Sequence, residues 1–291
     1  MSSGHIPQTI EKLARDACKG NVGPIRELLV RKGCLPGPKP NLELACAVGT
    51  ALLHEGKLGV AILDEWLAMS ENEAPSGTAF PILPIAAIQA CGVLAASEDS
   101  ESRATALKTL HDKSDDSRKE VRASVGAALA HAAALRIETL EELDSWFDGY
   151  LHASMVLGAM VGHSVLSQFV DASLPMRHVD GAFELAENAP RSHQRSNGYR
   201  VLLRTLRLAI AKFGCRFQEP VSFWIREHAG VSSTDLREVL VGAVDDLRVG
   251  GMRKELVIAA SGALESRVLP PRDPRWDVGP TRGRGKKARK M

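Results

Sequence analysis

Seven basic side chains, Arg191, Arg195, Arg200, Arg204, Arg207, Lys212 and Arg216, fall between residues 188 and 218 with no acid among them. Guanidinium groups present fixed forks of N–H donors to phosphates and carboxylates, so the chemistry on offer is recognition of an anion. Arg200, Arg204 and Arg207 stand at i, i+4 and i+7, on one flank of a helix beside an apolar stripe of Tyr199, Leu203, Leu206 and Ile210. His193, Gln194 and Asn197 in the preceding loop add donors. Tyr199 is the aromatic residue nearest this ridge, and it is the candidate to stack on a base. A second basic segment, residues 279–291, contributes Arg282, Arg284, Lys286, Lys287, Arg289 and Lys290, again without an acid. The whole chain carries a net charge of +2, so these thirteen cations leave −11 on the remainder, and the molecule is polarised.

Other chemistry is scarce. The sequence contains no Cys-x-x-Cys, His-Glu-x-x-His, Gly-x-Ser-x-Gly, phosphate loop or dinucleotide fingerprint, and it gives no catalytic residue, metal-ligand set or cofactor site. The acids Glu138, Glu141, Glu142, Asp144 and Asp148 span two turns without a converging loop and read as a solvated face. Trp66, Trp146 and Trp224 sit in similar apolar company about 80 residues apart, a setting that predicts packing rather than base stacking. Trp276, in a polar stretch, reads as a residue that docks the tail on the last helices. The five cysteines are scattered and odd in number, which reads as buried reduced thiols in a cytoplasmic protein.

The elements that carry these residues follow from a repeat. Val48-Gly49-Thr50-Ala51-Leu52-Leu53-His54 returns 77 residues later as Val125-Gly126-Ala127-Ala128-Leu129-Ala130-His131. Such a spacing, read as two units of about 38 to 40 residues, predicts stacked helix pairs. With Val121 as a first buried position, Val125, Ala128 and Leu129 follow on one helical stripe. The register transfers to Leu44, Val48, Ala51 and Leu52, to Tyr199, Leu203 and Leu206, and to Leu236, Leu240, Ala243 and Val244, although it would bury Arg207. Helices are also expected over 9–19, 25–31, 60–69, 82–96, 101–111, 140–151, 154–170, 178–187, 221–228 and 254–267. Proline and glycine clusters fall between these segments.

Asp116-Ser117-Arg118-Lys119-Glu120-Val121-Arg122, with the small and apolar residues after it, resembles the second helix of a HEAT repeat. The resemblance spans roughly residues 8 to 267 and is specific only around Asp116; the expected Asp is missing before Tyr199 and Leu236. It implies an all-α HEAT-like superhelix, an α-solenoid, of about six helix pairs. It also implies that Arg200 could join Arg122 and Arg237 in a ladder of repeat-stabilising hydrogen bonds. HEAT-type diiron enzymes use several His-Glu pairs, and here only His54-Glu55 has that form.

The expected organisation is a solenoid over residues 1–269 and a Pro-rich linker with a disordered basic tail over 270–291. No charged-then-apolar leader opens the sequence, and the longest apolar stretch is interrupted by His163, Ser164 and Gln168, so neither a signal peptide nor a membrane span is expected. The expected function is a non-enzymatic scaffold or adaptor that binds a protein or nucleic-acid partner through Arg191, Arg195, Tyr199, Arg204, Arg207 and the tail's Arg282, Arg284, Lys286 and Lys287. The alternative is a nucleic-acid-binding or DNA-repair protein similar to the alkylpurine DNA glycosylases, which line a basic groove with aromatic and acidic residues. In a eukaryote the basic tail would also suit a nuclear import signal.

Overall fold

The computed structural model describes residues 7–267, which fold as helices joined by short loops, with no strand among them. The order is α1 (Gln8–Cys18), α2 (Gly23–Lys32), α3 (Leu42–His54), α4 (Lys57–Ala68), α5 (Ile82–Leu94), α6 (Ser100–Lys113) and α7 (Lys119–Leu135). A 3-10 segment, Ile137–Asp148, then leads into α8 (Tyr150–Met160), α9 (His163–Leu166) and α10 (Ser173–Glu187). The remainder is α11 (Asn197–Arg216), α12 (Gln218–His228), α13 (Thr234–Val249) and α14 (Lys254–Ser266). The tail cations Arg282, Arg284, Lys286 and Lys287 and Trp276 lie outside the described residues.

Several helices begin where the sequence supplies a cap. The side chains of Asn41, Asp99, Ser196 and Ser233 accept hydrogen bonds from the amides of Leu44, Ser102, Tyr199 and Leu236, which satisfies one otherwise orphaned donor at each start. Helices α3, α5, α7, α8, α11 and α13 pack in succession, each on the next. Helices α4, α6, α10, α12 and α14 and the 3-10 segment flank this row. Helix α5 is buried all round from Ile82 to Ala90, as its largely apolar sequence requires, and the one polar side chain there, Gln89, donates to the Ser124 carbonyl at 3.0 Å.

Small residues set the spacing of the row. A Cβ at Gly49 would stand 2.6 Å from the Ala86 carbonyl oxygen, and one at Gly92 would stand 2.7 Å from that of Ala128. Backbones can therefore approach closely from α3 to α5 and from α5 to α7, which explains a core of alanine, leucine and valine with few rings.

The predicted stripes are buried at Val121, Val125, Ala128 and Leu129, at Val48, Ala51 and Leu52, and at Leu236, Leu240, Ala243 and Val244. Leu44 and Leu203 are only partly buried. On α11 the stripe runs through Tyr199, Leu202, Leu206, Ala209 and Ile210, which turns Leu203 toward the edge and Arg207 outward.

Two predicted helices are corrected. Residues 140–151 do not form an α-helix, because the 3-10 segment occupies most of them and Gly149 breaks the chain before α8. The five acids of this segment recur at i, i+3 and i+4, and their mutual repulsion works against a regular α-helix. Residues 154–170 are not one helix either; α8 ends at Met160 and α9 is a single turn.

Loops are laced together by polar groups. Asp116 and Arg118, both buried, form an ion pair with Nη2–Oδ2 2.7 Å, and Arg118 Nη1 donates to the carbonyls of Ser70 and Ala74 across to the loop after α4. In the same corner Ser117 donates to Glu71 and Ser76 to Glu120, both at 2.7 Å. The expected arginine ladder is absent among the described residues. Arg122 donates to the Asp116 carbonyl, Arg237 to the carbonyls of Arg267 and Leu264, and Arg200 is exposed with no side-chain hydrogen bond. Among the described residues no helix is long and apolar enough to cross a membrane.

Candidate functional site

Helix α11 splits the basic cluster into two groups. Arg200, Arg204, Leu208 and Lys212 recur every four residues and are all exposed, forming a stripe opposite the buried face of the helix. Arg204 Nε donates to the Arg200 carbonyl at 3.2 Å, which lays one guanidinium along the helix. Arg191 and Arg195, in the loop before α11, are exposed as well. Among the described residues no acid lies within ion-pair distance of Arg195, Arg200, Arg204 or Lys212.

The other members serve internal contacts. Arg207 makes a bidentate pair with Asp246 on α13, both bonds 2.7 Å, and the hydrogen bonds from Arg207 hold the Asp246 carboxyl below the usual range. Its guanidinium lies over Gly242, where any Cβ would meet it at 2.8 Å. Arg216 donates to the carbonyls of Ser167 and Phe169, pinning the end of α11 to the loop after α9.

Tyr199 is corrected. It is only 1% exposed, packed edge-on against Tyr150, and cannot stack on a base. Burial and the nearby Asp235 push its phenol up to about 12, and its hydroxyl makes no well-formed hydrogen bond. The ring sits at +0 of the apolar stripe, so proximity in sequence to the arginines placed it on the wrong side of the helix.

Two exposed apolar side chains flank the Arg207 crossing in sequence. Leu208 is 45% exposed and Val241, next to Gly242 on α13, is 44% exposed. Leu208 lies within the basic stripe, whereas Val241 lines a groove between α13 and α14 with Arg237, Val244, Leu264 and Glu265.

A second constellation was not anticipated from the acids of the 3-10 segment. His111 in the last turn of α6, Asp148 at the end of the 3-10 segment and His152 in the first turn of α8 converge. Asp148 Oδ2 lies 3.1 Å from His111 Nε2, and Asp148 Oδ1 lies 2.8 Å from His152 Nδ1. Burial pushes the Asp148 carboxyl up, but hydrogen bonds and charge from the two histidines hold it below the ordinary range. Trp146 stands edge-on to His111 at 5.1 Å between ring centroids. Gly149 makes room for His152, since a Cβ there would lie 2.8 Å from Nδ1.

The sequence did hold a signal for this group. His111 and Asp148 are 37 residues apart, close to the 38 to 40 residues of the helix pair that the sequence predicts, while Asp148 and His152 are four residues, about one helical turn, apart. The same device recurs along the flanking helices. His178 lies 3.7 Å from Asp144, and Trp224 Nε1 donates to Asp180, with His228 3.8 Å from the same carboxylate.

The repeating His131 lies 3.9 Å from the Cys46 sulfur, whereas His54 is exposed. Burial pushes the Cys46 thiol up and the His131 imidazole down, so both are held neutral, the opposite of an activated thiolate pair. No family model, no curated protein and no solved structure matches the chain.

Proposed function

We propose that the chain is a HEAT-like α-solenoid of about six helix pairs that works as a non-enzymatic interaction scaffold, holding a protein partner through the exposed stripe of α11. The solenoid reading is supported by the succession in which α3, α5, α7, α8, α11 and α13 pack, since each unit meets only its neighbours in such a stack. The observation that carries the functional reading is the stripe itself: Arg200, Arg204 and Lys212 are exposed and without ion pairs, with the exposed Leu208 between them, while Arg207 and Arg216 on the same helix are held by internal contacts. Arginine fits this task because its fork binds a carboxylate bidentately while its stem covers apolar surface. Leu208 supplies an exposed apolar side chain within it. The partner segment is therefore acidic and carries an apolar side chain, and the basic residues of 279–291 add long-range attraction to it. The five cysteines are free thiols but not buried as expected, since Cys18, Cys46 and Cys91 are half-buried and Cys34 and Cys215 exposed; a reducing compartment such as the cytoplasm suits them.

Charge reversal tests this. Arg200→Glu with Arg204→Glu changes exposed groups, so the fold should persist while partner affinity falls by about tenfold or more and loses most of its salt dependence. The assay is capture from nuclease-treated lysate of the source cells, with Arg31→Glu, an exposed site on α2, as the control. A partner retained equally by the double variant ends the proposal. Capture that disappears on nuclease treatment would replace the protein partner with a nucleic acid.

A further inference from the structure

We infer that His111, Asp148 and His152 form a binding site for one divalent transition-metal ion of the zinc class. The three donor atoms lie within 4.8 Å of one another. Two imidazole nitrogens and a carboxylate oxygen are the donor set that zinc takes in three-ligand sites with an open fourth position. Bonds of about 2.0–2.1 Å place neighbouring donors of a tetrahedron roughly 3.3 Å apart. The observed 3.1 Å from Asp148 to His111 Nε2 and 2.8 Å to His152 Nδ1 lie close to that spacing, and no two of the three donors are more than 4.8 Å apart.

His152 gives the second, independent observation. Its side chain is only 7% exposed, and its Nε2 is buried without a hydrogen-bond partner although the Asp115 carboxylate is 3.3 Å away. With Nδ1 bound to an ion, Nε2 must carry the ring proton, and Asp115 is the acceptor in place to receive it. A ligating histidine steadied by a carboxylate on its far nitrogen is the usual arrangement around a metal. Without an ion, Asp148 must instead accept from both imidazoles at once. The other flanking pair built on a buried histidine, Asp144 with His178, joins one carboxylate to one imidazole. Asp180 also gathers two rings, but one of them is the Trp224 indole, which cannot ligate, with His228 3.8 Å away; two imidazoles with the carboxylate between them occur at Asp148.

His111 and Asp148 help to line a surface cavity of about 370 Å3, together with Lys108, Glu142 and Trp146. An ion held by the three donors would take water or a small anion as its fourth ligand, with Lys108 favouring the anion. The inference is independent of the partner surface on α11.

The test is Co2+ and Zn2+ titration of the full chain after chelator treatment and cysteine alkylation, which removes the thiols as rival ligands. One Co2+ per chain is expected, with the visible absorption of a four- or five-coordinate nitrogen and oxygen site, displaced by Zn2+. His111→Gln and Asp148→Asn should each abolish stoichiometric binding, and Asp115→Asn should weaken it by about 10–100-fold. Cu2+ spin resonance of the unsubstituted chain should show coupling to two imidazole nitrogens, a readout that stands even where a variant misfolds. The inference is overturned by no saturable binding, by a site that survives His111→Gln, or by fewer than two coupled nitrogens.

Discussion

Asp116→Ala is expected to lower the unfolding free energy by about 3–5 kcal/mol, the cost of stranding a buried charge. The Arg118 side chain is 3% exposed and that of Asp116 is 8% exposed. Arg118 Nε and Nη2 both donate to this carboxylate, at 2.9 and 2.7 Å, and the Arg118 amide donates to it as well at 2.9 Å. Alanine removes both acceptor oxygens and all three hydrogen bonds at once, and leaves a guanidinium with only two long bonds to the carbonyls of Ser70 and Ala74, each 3.4 Å. Adding Arg118→Met should recover most of the loss, because the uncompensated charge goes with it.

The same pair sets a pH dependence. Burial pushes the Asp116 carboxyl up, but the hydrogen bonds and charge of Arg118 hold it below its ordinary value. A folded value below the unfolded one means that the stabilisation is complete above the unfolded value, about 3.9, and is lost as pH falls through the folded value. Urea unfolding from pH 7 downward should therefore show a constant gap between the original chain and Asp116→Ala until about pH 4, then a narrowing one. A gap under about 1 kcal/mol at pH 7 would mean that the pair behaves like an exposed one.

Leu129→Ala is expected to cost about 2–5 kcal/mol by leaving a cavity. Leu129 is fully buried on α7, the helix that packs between α5 and α8, where close backbones leave little freedom to collapse. The urea slope should stay unchanged while the midpoint falls. A loss below about half a kcal/mol would place Leu129 outside the core and reject the repeat register with it.

Most of the helices were legible because 3.6-residue periodicity is strong where alanine and leucine alternate with charge, and because proline and glycine clusters fall between them. The segment Ile137–Asp148 was not, since its apolar residues keep a helical spacing while its acids repel one another and Gly149 ends the run. On α11, Leu202 and Leu203 are equally apolar, and only packing against α8, α10, α12 and α13 decides that Leu202 goes inward. That choice buries Tyr199 and leaves Arg207 to reach Asp246, a partner 39 residues away that no local pattern names. The histidine cluster was hidden for a related reason. Asp148 looks solvated among its neighbours, and its ligand-like setting exists only once α6 and α8 stand beside the 3-10 segment.

The exposed stripe of α11 is the proposed partner surface. Hydrogen–deuterium exchange of the chain alone and bound to its captured partner reads that surface directly. Added protection is expected over residues 190–212, with α2 and α4 unchanged. Protection that leaves 190–212 unaffected and appears on other helices would contradict the account, whatever the affinity of the complex.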